Sequence, residues 1–392
     1  MSPYHEKYLG IKSIDNKSPS FMCLLYPYVV LKKIINIKHK SLFDELEYFL
    51  GKEYSKILCG IQIKAGFTRA SGINAAFLEF EAFGFGKTKV IILNKSKTIL
   101  KNANISLARQ YSKSIFDDKI NSDYFLAGIY SGILSIYFND NIEVKETKCY
   151  SCGSEECFFE TFDEIPNKYK LNEIAAKTVI NYQLKDEWPD YLTGLGKKMF
   201  QRGNYYSKDG ILKVFNVYFV LLKFNFFTFS NYILSRKYKD VCDLYRYLGY
   251  IQAKEAANFQ KNQFGRSSPD QIFQMLVKEL NLFGYGAPAV SKANNKILVK
   301  FSKMLLLRQC SQFMEKFEDP YLEGLLLGIS SVYPIYVSWI ILSESKPDKL
   351  YVEMKFGKGE NFAKSLAQKI KSKEIKKIVN ERMKHKYYLA PS

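Results

Sequence analysis

The sequence contains little histidine, little tryptophan and no long apolar segment. Only three of its 392 residues are histidine and two are tryptophan. The longest aromatic and apolar stretches, residues 215–229 and 333–342, fall short of the roughly 20 residues that cross a bilayer. Charged side chains occur within the first ten residues and no apolar segment follows them, so no secretory signal is recognisable. We therefore expect a cytoplasmic protein without a transmembrane segment.

Acidic residues are scarce relative to basic ones. The chain has 58 lysines and arginines against 39 aspartates and glutamates, a formal net charge of +19, which predicts attraction to polyanions. The surplus is densest in residues 357–392, where ten basic residues meet three glutamates and apolar residues recur at helical spacing. This pattern predicts a basic amphipathic helix. Such a helix binds nucleic acid, an anionic membrane or an acidic partner, or it packs against the rest of the chain.

The sequence contains an internal repeat. The segment Phe-Gly-Phe-Gly at 83–86 recurs 200 residues later as Phe-Gly-Tyr-Gly at 283–286. Asp123, Gly128 and Gly132 recur 196 residues later as aspartate, glycine and glycine. Offsets that shrink gradually while the order is kept indicate a duplicated domain that has lost loop residues.

Each copy has the same predicted order of elements. Apolar segments at 21–35 and 211–229 predict opening strands, which are followed by helices, a Gly-x-Gly turn and a strand pair. A helix with two glycines one turn apart comes next, and these glycines predict a close approach to a sheet or to another helix. The expected fold class is α/β, more narrowly α+β, with two tandem domains that each pack an antiparallel sheet against helices.

The repeat also predicts the domain boundaries. Residues 1–161 form a first domain with a cysteine cluster, and residues 162–205 form a connector with one helix. Residues 206–356 form a second, degenerate domain without the cluster, and residues 357–392 form the basic C-terminal helix.

Three of the seven cysteines lie within residues 149–157. Alternating residues over 142–148 predict a strand, Gly153 predicts a turn, and residues 157–160 predict a returning strand. A hairpin with Cys149 on one arm, Cys157 on the other and Glu146 three residues earlier can bring ligands to one side. Thiolates and carboxylates suit Zn²⁺, which binds four ligands in a tetrahedral array.

Two other interpretations of these cysteines remain open. They are free thiols on a packed hairpin, or Cys149 and Cys152 form a redox pair, which would require a thiol of lowered pKa at a helix N-terminus. The three histidines lie far from the cluster, so a finger with two histidine ligands is not expected. The four remaining cysteines occupy apolar surroundings and are interpreted as buried small residues.

The helix 128–132, Gly-Ile-Tyr-Ser-Gly, followed by Glu146-x-x-Cys149 and by Cys157-Phe-Phe, resembles the 4-vinyl-reductase domain family. This family comprises small-molecule-binding domains that share a fold with the Golgi transport-particle subunits and the haem nitric-oxide-binding domains. Position by position, the resemblance implies the zinc ligands of the family's phenol-sensing activators at Asp123, Glu146, Cys149 and Cys157. The first ligand is cysteine in those activators and aspartate here, so Cys152 or water is an alternative ligand.

The resemblance implies a protein that binds or senses a small hydrophobic molecule, with one structural zinc in the first domain. The second copy has Leu342 and Leu350 near the positions of Cys149 and Cys157, so we expect at most one metal ion per chain. One alternative is a scaffold or protein-interaction module like the transport-particle subunits, with a protein partner or self-association. Another is a transcription regulator with a ligand-sensing domain. Catalysis has no support, because no triad, phosphate loop or cofactor motif is recognisable.

Overall fold

The structure is a computed structural model, which describes residues 21–40, 42–105, 107–109, 123–162, 205–208, 211–214, 217–222, 226–263, 267–310, 314, 316–346 and 349–357. The predicted connector helix within 162–205 and the predicted basic helix within 357–392 lie outside the described residues. The described helices are α1 (Leu25–His39), α2 (Leu42–Lys64), α3 (Arg69–Ala82), α4 (Tyr124–Phe138), α5 (Phe226–Ser235), α6 (Asp240–Gln263), α7 (Pro269–Glu279), α8 (Leu305–Cys310) and α9 (Pro320–Ile329).

The described strands are β1 (Phe21–Leu24), β2 (Lys87–Leu93), β3 (Thr98–Ala103), β4 (Glu143–Lys148), β5 (Cys157–Phe162), β6 (Tyr205–Lys208), β7 (Ile211–Val214), β8 (Val217–Leu222), β9 (Ala287–Ala293), β10 (Lys296–Ser302), β11 (Tyr336–Lys346) and β12 (Lys349–Gly357). Within the described part of the chain they form three four-stranded sheets, in the orders β2-β3-β5-β4, β11-β12-β10-β9 and β1-β8-β7-β6. Their strand pairs are antiparallel. Helices packed with antiparallel sheets make the fold α+β, as the sequence predicts.

The opening strands are shorter than the sequence predicts. The strand expected over 21–35 ends at Leu24, where α1 begins, and residues 226–229 lie in α5 rather than in a strand. A continuous apolar run shows neither the two-residue period of a strand nor the 3.6-residue period of an amphipathic helix, so it cannot distinguish a buried strand from a helix buried on all sides. Val29, Val30 and Leu31 are consecutive and fully buried, so the middle of α1 is buried on several sides, whereas its last turn is exposed at Ile37.

Glycines allow two pairs of helices to cross at backbone contact. A Cβ atom on Gly128 of α4 would lie 2.1 Å from the carbonyl oxygen of Tyr48 in α2. In the same way, a Cβ atom on Gly324 of α9 would lie 2.0 Å from the carbonyl oxygen of Arg246 in α6. Such distances are far inside van der Waals contact, so only glycine fits at either crossing. The close approach predicted from the helix glycines is confirmed.

The Gly-x-Gly turns lead into equivalent strand pairs. Gly84 and Gly86 have φ values of 93° and 81°, and Gly284 and Gly286 have 89° and 71°, a backbone region that favours glycine. The first turn precedes β2 and β3, and the second precedes β9 and β10. We call residues 21–162 the first half and residues 205–357 the second half, because both contain three helices, a strand pair, a glycine-bearing helix and a second strand pair in this order. The second half differs in opening with three strands instead of one and in the additional helix α8.

The third sheet joins the two halves. β1 of the first half pairs with β8 of the second, with Cys23 opposite Val220. The ring of Phe226 in α5 lies 4.7 Å from that of Tyr28 and 6.2 Å from that of Phe125, measured between centroids. The halves therefore share a sheet and an aromatic core. None of the described helices is both long and apolar enough to cross a membrane.

Candidate metal centre

β4 and β5 form a hairpin with its inner face toward α4. Glu146 pairs with Phe159 and Lys148 with Phe158, so β4 carries one extra residue between these pairs. A short 3-10 turn, Tyr150–Cys152, follows the strand, and Gly153 closes it with a φ of 94°. The hairpin and turn predicted for 142–160 are thus present, and the turn returns the chain to Cys157 at the start of β5.

The hairpin brings together three of the predicted ligands. One oxygen of Glu146 and the sulfur atoms of Cys149 and Cys157 all lie within 4.8 Å of one another, and all three residues are buried. The two Sγ atoms are 3.9 Å apart, about twice the length of a disulfide bond. The backbone N–H of Tyr150 donates a hydrogen bond of 3.2 Å to the sulfur of Cys157. This donor favours the thiolate form of Cys157, which is the form that binds a metal ion.

Asp123 lies beside this cluster as the N-cap of α4. Its Oδ1 accepts a 2.8 Å hydrogen bond from the N–H of Leu126, and its own N–H donates to Oε2 of Glu146 at 3.2 Å. The residue is fully buried. Its Oδ2 has no hydrogen-bond partner among the described residues. Asp123 is not one of the three mutually close residues, but its N–H contacts Glu146 and its carboxyl is close enough to Cys149 for the charge of that residue to raise its pKa.

Cys152, the alternative ligand, is placed less favourably. It is half-buried in the 3-10 turn, and its N–H donates to the carbonyl oxygen of Cys149 at 3.0 Å. Its sulfur does not belong to the set within 4.8 Å. Burial, and then the charge of Cys149, raise the pKa of the Cys152 thiol. A raised pKa opposes the reactive thiolate that a redox pair needs.

The acidic groups of the site are costly to ionise together. Burial raises the pKa of the Asp123 carboxyl to about 7, although the Leu126 N–H and the ammonium of Lys32 both act to lower it. Burial, and then the charges of Cys149 and Asp123, raise the pKa of Glu146 well above its ordinary value. The hydrogen bond to Cys149 and burial raise the pKa of Cys157. Bound protons or a divalent cation would relieve this concentration of negative charge.

The donor set fits a zinc ion. Two thiolates and one or two carboxylates are ligands that Zn²⁺ accepts, and three of them already converge. The buried Oδ2 of Asp123 is a free acceptor next to them, and a buried acceptor without a partner costs free energy unless it binds a donor or a cation. Metal binding is therefore the chemistry that this arrangement supports best.

Arg109, just before the residues that precede α4, packs against the hairpin. Its guanidinium lies over the ring of Tyr150, 5.3 Å from the centroid, and it donates to the side chain of Asn104. It therefore packs on the 3-10 turn of the hairpin.

Sequence reasoning missed a buried lysine next to the site. The Nζ of Lys32 in α1 lies 2.6 Å from Oε2 of Glu47 and 3.1 Å from Oδ1 of Asp44. The hydroxyl of Tyr28 also donates to Glu47, and Lys32 is close enough to Asp123 to lower its pKa. A signal was available, because a lysine inside an apolar run requires an acidic partner when the run is buried.

The second half has different side chains at the equivalent positions. In the second sheet, β11 and β12 correspond to β4 and β5 of the first. Leu342 pairs with Val352 of β12 where Glu146 pairs with Phe159 of β5. Leu342 therefore corresponds to Glu146 rather than to Cys149. Leu350 pairs with Phe301 as Cys157 pairs with Asn102, and it is fully buried. Within the described residues, the group of three close metal-binding side chains occurs in the first half alone.

Comparison with known proteins gives little. No family model matches the chain, and no curated protein matches it. Among solved structures it is similar to the crystal structure of the phenol-responsive sensory domain of the transcription activator PoxR with phenol, at 11% sequence identity and a TM-score of 0.34. The similar region covers 46% of this chain and 99% of that chain. With values this low, the function has to be inferred from the residues of this chain.

Proposed function

We propose that the chain binds or senses a small hydrophobic molecule and that one structural zinc ion stabilises its first half. The observation that carries the metal is the buried convergence of Glu146, Cys149 and Cys157. It is supported by the free Oδ2 of Asp123 at the edge of the cluster. Without a metal ion, these three buried groups would have to keep their protons, because burying several negative charges in one site is costly.

In this proposal each residue has a distinct role. Cys149, Cys157 and Glu146 are ligands, and Asp123 is the fourth through Oδ2 while its Oδ1 continues to cap α4. Cys152 is the substitute ligand. The N–H groups of Tyr150 and Asp123 hold the Cys157 sulfur and the Glu146 carboxylate in place. Zinc, when bound, supplies a tetrahedral cross-link and neutralises charge.

Such a cross-link would join two parts of the first half. Cys149 and Cys157 belong to the hairpin, whereas Asp123 is the N-cap of α4. α4 in turn crosses α2 at backbone contact. A metal ion held by these residues would therefore connect the hairpin to the helix pair at the centre of the first half.

The ligand-binding part of the proposal is supported by the sequence resemblance of residues 128–157 to the 4-vinyl-reductase family. It implies two tandem domains of that family, residues 1–161 and 206–356, joined by the connector 162–205. The ligand class is small and apolar, and the first domain alone carries the metal.

Two measurements on the full chain test the two parts separately. Elemental analysis of protein prepared without chelator should find about one zinc ion per chain. Solvent extraction of the native protein followed by mass spectrometry should release an apolar compound. Protein that contains no metal contradicts the zinc site, whereas zinc-loaded protein that releases no compound contradicts the ligand-binding role.

The shared core of the two halves favours a second candidate function. Phe226 packs on Tyr28 and Phe43 of the other half, and β1 pairs with β8 across the same junction. Two halves fused in this way resemble a built-in dimer, as expected for a scaffold. Native mass spectrometry of protein purified from its own cells would favour the scaffold if a protein partner is retained and no small molecule is present.

A further inference from the structure

The β2–β3 hairpin, residues 87–103, is basic and lies at the end of its sheet. Its 17 residues include five lysines and no acidic residue. β2 is the terminal strand in the order β2-β3-β5-β4, so only one of its edges is paired within that sheet. Terminal strands are usually protected from other molecules by charge, proline or short length.

Aliphatic side chains are exposed along this strand. Val90 is 44% exposed, Ile91 is 55% exposed and Leu93 is 38% exposed. The pairing of β2 with β3 shifts between Val90 and Ile92, so Ile91 is the extra residue of a bulge. A bulge redirects side chains out of strict alternation, which explains why neighbouring aliphatic residues are exposed together. The result is an aliphatic strip on a strand that nothing in the described residues covers.

Lysines flank the strip on both sides. Lys87 and Lys89 precede it and Lys95 and Lys97 follow it. Lys95 pairs with Asp140 at 3.0 Å. Lys87, Lys89 and Lys97 have no acidic partner within the described part of the chain. Their charge is therefore available to a ligand outside the protein.

The equivalent hairpin of the second half lacks the aliphatic strip. Residues 287–303 also contain lysines and no acidic residue, so the charge is similar. The edge strand β9, however, consists of small residues, Pro288, Val290 and a lysine, and it has no exposed large apolar side chain. Lys292 and Lys296 pair with Asp270 and Glu353. The second hairpin has a single exposed aliphatic side chain among its described residues, Leu298 of β10 at 40%, so the row of neighbouring exposed aliphatic residues beside unpaired lysines distinguishes β2 from β9.

We propose that the β2–β3 hairpin docks the protein on the surface of an anionic phospholipid membrane. Exposed aliphatic residues enter the boundary between headgroups and acyl chains, while lysines beside them attract anionic headgroups. Nucleic acid fits less well, because Val90, Ile91 and Leu93 neither stack on bases nor form hydrogen bonds with them. Pairing with the same hairpin of a second copy would bring like-charged lysines together.

Vesicle binding by the full chain tests this assignment. The protein should co-sediment with vesicles of equimolar phosphatidylglycerol and phosphatidylcholine, and not with phosphatidylcholine alone. The double variant Val90→Thr/Ile91→Thr keeps the charge and the β-branched side chains, and should lower the partition coefficient about tenfold. Lys89→Gln/Lys97→Gln should lower it severalfold and weaken its dependence on salt.

The matched control is Val290→Thr at the second edge strand, which should bind vesicles as the original chain does. All variants retain residues 357–392, so any contribution of the predicted basic helix is constant. Unchanged binding by Val90→Thr/Ile91→Thr, with an unchanged melting temperature, would overturn the proposal. So would equal binding to uncharged vesicles, preferential binding to an oligonucleotide, or a dimer that the same variant converts to monomer.

Discussion

The two halves use the same aspartate in different surroundings. Asp123 and Asp319 are both N-caps, and each accepts a hydrogen bond on Oδ1 from the third residue beyond it, at 2.8 Å and 2.9 Å. The Oδ2 of Asp319 also accepts hydrogen bonds from Thr228 at 2.6 Å and from the hydroxyl of Tyr285 at 3.0 Å. The Oδ2 of Asp123 has no such donor among the described residues.

One residue of the repeated turn accounts for part of this difference. Tyr285 stands between Gly284 and Gly286, and the residue between Gly84 and Gly86 is Phe85. The second half therefore supplies a hydroxyl where the first has only a ring. The second half satisfies its aspartate with hydrogen bonds and has leucine at the positions of Glu146 and Cys157, whereas in the first half the Oδ2 of Asp123 has no donor among the described residues and the Asp123 N–H contacts Glu146. Similar backbone arrangements thus hold leucine side chains in the second half and a cluster of buried thiols and a carboxylate in the first.

Cys157→Ala should break this comparison most strongly. We expect the metal content to fall from about one ion per chain to almost none, with a loss of more than about 3 kcal/mol in the free energy of unfolding. Leu350→Ala is the matched change in the second half and should cost about 2–5 kcal/mol by leaving a cavity. It should leave the metal content unchanged.

Elemental analysis and urea unfolding measure both quantities. In Cys157→Ala, hydrogen exchange should become faster in residues 143–162 and stay unchanged in the strands of the second half, which would show that the loss is confined to the first half. Retention of metal in this variant would show that the cysteine is only a packed thiol.

Gly128→Ala and Gly324→Ala should have similar effects, because the helix crossings of the two halves are alike. The new Cβ atoms would lie about 2 Å from a backbone oxygen in each case. Each pair of helices must separate, and we expect a cost of about 2–3 kcal/mol. Thermal unfolding of both variants measures it. A large loss in only one of them would show that the crossings are not equivalent.

The pH dependence of chelated protein should reveal the buried carboxyl of Asp123. Without metal, burial raises the pKa of Asp123 to about 7, so the folded state retains its proton over a range in which the unfolded state ionises. The stability from this group is complete at low pH and is lost as pH rises toward 7, by roughly 1 kcal/mol per pH unit between about pH 5 and 6.

Asp123→Asn keeps a good N-cap and should reduce the slope by the share of this group, while other buried carboxyls with raised pKa values, such as Glu279 and Asp319, keep theirs. Zinc-loaded protein should show the opposite trend, because its ligands must lose protons to bind metal. Urea unfolding across this pH range, with and without chelator, gives the slopes. Identical slopes in the chelated original chain and in Asp123→Asn would contradict the assignment.

The smallest effect is expected from exchanging the turn residues. Tyr285→Phe removes one of the two side-chain donors to Asp319 and should cost about 1–2 kcal/mol. Phe85→Tyr should place a hydroxyl toward the Oδ2 of Asp123 and weaken zinc binding in a competition assay with a chelator. Unchanged zinc affinity in Phe85→Tyr would mean that Oδ2 is not a ligand.

Much of the local structure could be predicted from the sequence. The glycines of the two turns, the glycines of the two helices and the cysteine hairpin all have strict backbone or spacing requirements. Such requirements restrict particular positions to glycine or cysteine, and these residues can be identified by their spacing in the sequence. The same holds for the lysine-flanked β2 strand, where the apolar and basic residues are adjacent in the chain even though their exposure was not foreseen.

Features that depend on distant residues could not be predicted. The apolar run after Leu24 is a helix because it is surrounded by other helices and strands, and nothing in its own pattern requires this. The pairing of β1 with β8 and the effect of Lys32 on Asp123 arise from contacts between residues that are far apart in sequence. So does the lack of a donor to Oδ2 among the described residues. Turns, helix crossings and clusters of ligands can be predicted from neighbouring residues. The burial of a charge and the partner of a strand depend instead on which surfaces come together when the chain folds.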